Sequence, residues 1–158
     1  MADITGDIRT FDPTLASRRF RDMGDGTYAE VTTAYLLNDY PVGATPVAAA
    51  SGNVANAAAA ATLAAVAAKF TYITGFEITG AGATAASVIA VTVTGCAGGT
   101  LTFNMAIPAG AAVGVAPLNV QFSKPLKSSA VNTAIVVSAA AFGAGNTNAA
   151  AVAHGYTL

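Results

Sequence analysis

Three stretches gather residue types that do chemistry elsewhere. Asp22, Asp25, Gly26 and Glu30, in DMGDGTYAE, set carboxylates around a glycine turn, as in a loop that closes oxygens on a hard cation such as calcium. Such a loop needs more oxygens at its first positions than this spacing supplies, so a solvated turn is expected there. Residues 80–87, GAGATAAS, have the small side chains of a phosphate-cradling loop, but no GK[ST] follows and both flanks read as strands, which predicts a hairpin turn. His154 is the only histidine and would have to act as base for Cys96 or a serine, oriented by a carboxylate. After Asp39 the sole acid is Glu77, so a packed or hydrogen-bonded histidine is expected instead. No catalytic set, metal site or cofactor site is predicted, and the chain does not read as an enzyme.

A different chemistry, recognition by charge, is available at Arg18, Arg19, Arg21 and Asp22. This cluster suits either docking on an acidic partner surface or a solvated face, and its position in the charged N-terminal part leaves both readings open. Residues 1–39 hold eleven of the fifteen Asp, Glu, Lys and Arg residues. Over the whole chain charged residues are only 9% against an apolar 54%, where soluble domains carry about 25% charged. So few charges hydrate a lone monomer poorly, and much of the surface is expected to lie against other subunits. A net charge of −1 gives no basic field for nucleic acid. One cysteine excludes an internal disulfide, and Cys96, flanked by Gly95, Gly98 and Gly99, is expected to be a small buried filler at a turn. MADITGDIRTFDP lacks the basic and apolar regions of a secretory signal, and Ala57 to Ala68 is too short and Ala-rich to span a bilayer, so cytoplasmic synthesis and no membrane partner are expected.

The elements that would position these residues are strands. In FTYITGFEIT, residues 70–79, Phe70, Tyr72, Phe76 and Ile78 fall on one face by period-two alternation, opposite Thr71, Gly75, Glu77 and Thr79. The same alternation recurs over Ser87 to Thr94, Leu101 to Ile107, Leu118 to Ser123 (ended by Pro125), Ala134 to Ala140 and Ala151 to Leu158. The Ala-rich residues 54–68 have helix propensity but no stripe of large side chains and are bordered by turn-formers, which predicts a strand over about Asn53 to Leu63. Seven short strands after residue 50, separated by turns, predict an antiparallel sandwich over 47–158. Residues 1–46 read as an extended arm: a short helical turn over Leu15 to Phe20, the Gly24-Asp25-Gly26 turn, a strand within Thr27 to Leu37, and the linker YPVGATP at 40–46.

RRFRDMGDGTYAE at residues 18–30, and the stretch from YITGFEITGAGATAASV (72–88) to NTAIVVSAAAFGAGNTNAAAVAHGY (132–156), resemble a group of small tailed-phage virion proteins. They look like the decoration, or cement, proteins that bind the outside of an assembled capsid. That resemblance implies an all-β fold, an antiparallel jelly-roll-like β-sandwich with an N-terminal extended arm. It also implies a homotrimer on the capsid exterior, with the major capsid protein as partner and the 1–46 arm making capsid contacts. It carries no catalytic or ligand-binding residue to any position here. A head-fibre or tail-associated module that binds a host surface glycan or protein is the alternative.

Overall fold

The computed structural model describes residues 19–22, 28–31 and 40–158, and the chain divides into two units, Met1–Asp39 and Tyr40–Leu158. In the first unit β1 (Arg19–Asp22) pairs antiparallel with β2 (Tyr28–Val31). Arg19 and Phe20, expected at the end of a helical turn, lie in β1 instead, where hydrogen bonding across to β2 supplies the partners a short isolated helical turn lacks. Residues 15–18 and 32–37 lie outside the described residues.

The second unit contains β3 (Thr45–Ala50), β4 (Ala59–Leu63), β5 (Thr71–Gly80), β6 (Ser87–Thr94), β7 (Leu101–Ile107), β8 (Leu118–Lys127), β9 (Ile135–Ala139) and β10 (Ala149–Thr157). They form two antiparallel four-stranded sheets, ordered β3-β10-β5-β8 and β4-β9-β6-β7, and the described residues include no helix. The pairings are nested: β3 with β10, β4 with β9, β5 with β8 and β6 with β7. The sheets face each other around one core, in which Phe76, Ile78, Leu63, Val91, Val137 and Phe142 are buried.

The Ala-rich stretch is a strand because its alternate positions Ala59, Ala61 and Leu63 enter the core while Ala60 and Thr62 stay exposed. Strand β4 is shorter than expected, since Val54 makes only an isolated bridge to Ala149. The expected linker at 40–46 is also shorter, because Thr45 and Pro46 already belong to β3, paired with Thr157 and Tyr156. At the other end of the unit, β8 runs past Pro125 to Lys127. Gln121 pairs with Gly75 and Leu126 with Ile73, so Phe122 to Pro125 bow out of register and Pro125 needs no ladder partner.

Thr74 is an extra residue in β5, opposed by none on β10, where His154 pairs with Gly75 and Gly155 with Ile73. Such a bulge exchanges the two faces of a strand. Phe76 and Ile78 therefore point to the core together with Thr71 and Ile73, whereas Tyr72, expected on the face of Phe76, lies on the outside against Tyr156. The Thr74 hydroxyl caps the bulge by donating to the His154 carbonyl at 3.0 Å. On β10 it is the small residues Ala149, Ala151 and Ala153 that face inward, while Val152 is outside. The stretch 80–87 is not a hairpin turn, because it joins β5 in one sheet to β6 in the other.

Candidate functional site

The outer face of the β3-β10-β5-β8 sheet carries the unit's chemistry. Gly75 sits between Gln121 on β8 and His154 on β10. Having no side chain, it leaves a notch across which the Gln121 side chain lies; a Cβ at Gly75 would come within 2.5 Å of Gln121 Oε1 and 2.7 Å of the Val120 carbonyl oxygen. Gln121 Nε2 thereby reaches His154 Nε2 at 3.2 Å and donates to Asn119 Oδ1 at 3.3 Å. An amide nitrogen only donates, so a hydrogen bond here has His154 Nε2 as its acceptor. Glu77 pairs with Asn119 on one side and Val152 on the other, which completes a row of polar side chains on this face.

Further along the same face Tyr72 stacks on Tyr156 at 4.8 Å between ring centroids, and Tyr40 meets Tyr156 edge-on at 5.6 Å. Burial, and secondarily the Tyr72 phenol beside it, push the Tyr156 pKa up. Lys127 holds its ammonium 3.5 Å from the centre of the Phe70 ring. All four charged residues of the unit, Lys69, Glu77, Lys124 and Lys127, lie in this sheet or at its border. The strands of the other sheet carry none.

At one end of the stack the connections 80–87, 108–117 and 143–148 meet. The backbone amides of Ala81, Gly82, Ala83 and Thr84 donate to the carbonyls of Asn148, Val113, Pro108 and Ala144. A phosphate would need those amides free, so this loop does not cradle one. Buried Asn146 stitches the loops together, its Nδ2 donating to the carbonyls of Ala81 (2.6 Å) and Asn148 (3.2 Å), while its Oδ1 has no partner.

The residues considered for nucleophilic chemistry are held apart in different pairings. Cys96 bridges Ser128 at the end of β6, and burial pushes its thiol pKa up, against what a nucleophile needs. His154 is engaged with Gln121. Among the described residues no group of three or more His, Cys, Asp or Glu is placed to hold a metal ion. Of the charged cluster, Arg19, Arg21 and Asp22 share β1, opposite Val31, Ala29 and Tyr28, and Arg18 lies outside the described residues. No helix among the described residues is long and apolar enough to cross a membrane.

The Asn119–Gln121–His154 row had a signal in the sequence that alternation alone does not use. Gly75 stands inside a run of strand-forming residues, and an isolated strand glycine marks a bulge or a close approach, both of which occur here. No protein-family model matches the chain, and no curated protein or solved structure matches it.

Proposed function

We propose that this is a structural virion protein: a phage capsid decoration subunit that binds the outside of the assembled head as a homotrimer, with the major capsid protein as partner. The observation that carries this reading is the division of charge. Eleven of fifteen charged residues lie in 1–39, four lie in or beside one sheet, and the second sheet has none. A chain so divided suits an assembly in which uncharged surface is covered by copies and the arm makes charged contact with a different partner. The nested pairings support a jelly roll, since folding one long antiparallel ribbon of eight strands over itself yields two four-stranded sheets with these orders. Mechanical function follows from repetition: contacts on the order of 1,000 Å² each, made at many symmetric positions, add holding free energy against the pressure of packaged DNA.

A second reading, a head-fibre or tail-associated module for a host glycan or protein, draws on the exposed Asn119 and Gln121 beside His154 and Glu77, a row of donors and acceptors suited to hydroxyl groups. Copy number separates the two. Quantitative gels of purified particles should find on the order of hundreds of copies for a decoration subunit, and about a dozen or fewer would replace it with the fibre reading.

A further inference from the structure

Inward-facing side chains are not equally covered across the core. Those of β4, β9 and β10 are sealed, with Ala61, Ile135, Val137 and Ala151 all at 0% or close to it, and on β5 Ile73, Phe76 and Ile78 are the same. Leu101 and Phe103 on β7, and Leu118, Val120 and Phe122 on β8, also point inward but remain only half-buried. These five belong to the two strands that end their sheets on one side of the stack. At the opposite side β3 and β4 pack together, and there Ala59, Ala61 and Leu63 of β4 are buried while the smaller Val47 and Ala49 of β3 are half-buried. At the β7–β8 side Phe76 reaches from β5 to Phe103 at 5.4 Å and to Phe122 at 6.2 Å. The Cys96–Ser128 bridge bounds this slot at one end and the 108–117 connection bounds it at the other.

The β7 rim of the slot lacks the devices that keep an edge strand single, whereas β8 has Lys124, Pro125, Lys127 and its register break at one end only. Strand β7, LTFNMAI, has no charge and no proline, and it pairs with β6 without a register break, leaving its other row of backbone groups unpaired. The charges of β8, Lys124 and Lys127, fall beyond Phe122, so Leu118 to Ser123 are uncharged too. Beside the end of β7 a groove of about 670 Å³ is lined by Val88, Ala106, Pro108 and Val113, and Val88 is 70% exposed.

We infer that the β7–β8 side of the stack is the face that meets a second copy of this chain, three copies closing their slots around a threefold axis. The inference rests on the trimeric reading above and assigns the surface. A partner carrying charge would have to leave it unpaired against β7, whereas a copy brings an uncharged β7 and the uncharged, half-covered run Leu118 to Ser123 of β8. At about 3.3 Å per residue β8 is about 33 Å long and sheets stack about 10 Å apart, so the edge presents on the order of 330 Å², and the groove and the flanking outer faces must supply the rest of the about 800 Å² per partner of a standard interface.

The test uses the full chain at about 10 μM in size-exclusion chromatography with light scattering. Thr102 and Asn104 are exposed on β7, and Thr102→Lys with Asn104→Lys puts charge on the rim without touching the core. Ala48→Lys on exposed β3, at the opposite side, is the control. Wild type and Ala48→Lys should be trimers, and the double variant should be a monomer with unchanged β-rich circular dichroism, self-association weakened at least about a hundredfold. Because the native cysteine is buried, Asn104→Cys offers one reactive thiol per chain, so a short bis-maleimide should link chains in pairs and give covalent dimers on a denaturing gel, and Ala48→Cys should not. A trimeric double variant together with an uncrosslinked Asn104→Cys overturns the surface assignment and leaves the trimer standing. A monomeric wild type overturns both.

Discussion

Single side chains set the sharpest limits on this fold. Phe76 is fully buried and is the one ring in contact with both Phe103 and Phe122. Phe76→Ala should therefore cost about 3–5 kcal/mol in urea unfolding, a large share of the roughly 5–15 kcal/mol that holds a domain together. Gly155 tolerates a methyl group even less, since a Cβ there would run into the Tyr72 carbonyl oxygen, itself fixed by the bulge. Gly155→Ala should lower stability by at least about 2 kcal/mol; an unchanged denaturation midpoint would show that the bulge relaxes. Cys96 and Tyr156 both have pKa values raised, chiefly by burial. The unfolded chain therefore gives up these protons first. Their contribution to stability is complete below the ordinary thiol and phenol values of about 8.5 and 10, and is lost as pH rises through those values to the raised ones. Unfolding midpoints should fall between pH 8 and pH 11, less steeply in Cys96→Ala, and a thiol reagent at pH 8 should modify native Cys96 far more slowly than the unfolded chain.

Strands differ in how firmly they are held, and the difference can be read by amide exchange. Strands β5, β6, β9 and β10 have partners on both sides, whereas β3 and β7 have one each. Exchange should be slowest in the first group and fastest at β3, and the unpaired amides of β7 should exchange as fast only in the monomeric Thr102→Lys, Asn104→Lys variant; equal protection along β7 in that monomer would mean that its edge is covered within one chain. This ranking could not have been read from the sequence, although much else could. The bounds of β6 and β7 follow from alternation alone because Ile89, Val91 and Val93, and Phe103, Met105 and Ile107, contrast in size and polarity with their neighbours. Strand β3, TPVAAA, has a single large side chain and gives no such contrast. The faces of β5 were legible only up to Thr74, since one inserted residue reverses them without altering composition. Pairing is non-local, and neither the nested order nor the meeting of Gln121 with His154 over Gly75 leaves a mark in any short window. The uneven charge that motivates the assembly reading was plain in the sequence; its confinement to one sheet was not.

At the scale of the whole molecule, the arm and the compact unit should separate by function. A chain beginning at Tyr40 keeps β3 intact and should remain β-rich and trimeric, yet bind undecorated capsids more weakly, because most of the charge for complementary contact is gone. Neutralising Arg18, Arg19 and Arg21 together should act in the same direction and make residual binding less sensitive to salt. Sedimentation with undecorated capsids measures both, and occupancy equal to wild type in a folded variant would move adhesion to the loops at 143–148. The nesting of the strands also bears on the order of events in time. Strand β10, made last of the ten, lies between β3 and β5, so the sheet has a gap at its middle until residues 149–157 have left the ribosome. Neither β3 nor the core face of Ala149, Ala151 and Ala153 can be sealed earlier, and the nascent chain must carry an open, aggregation-prone half-sheet until then.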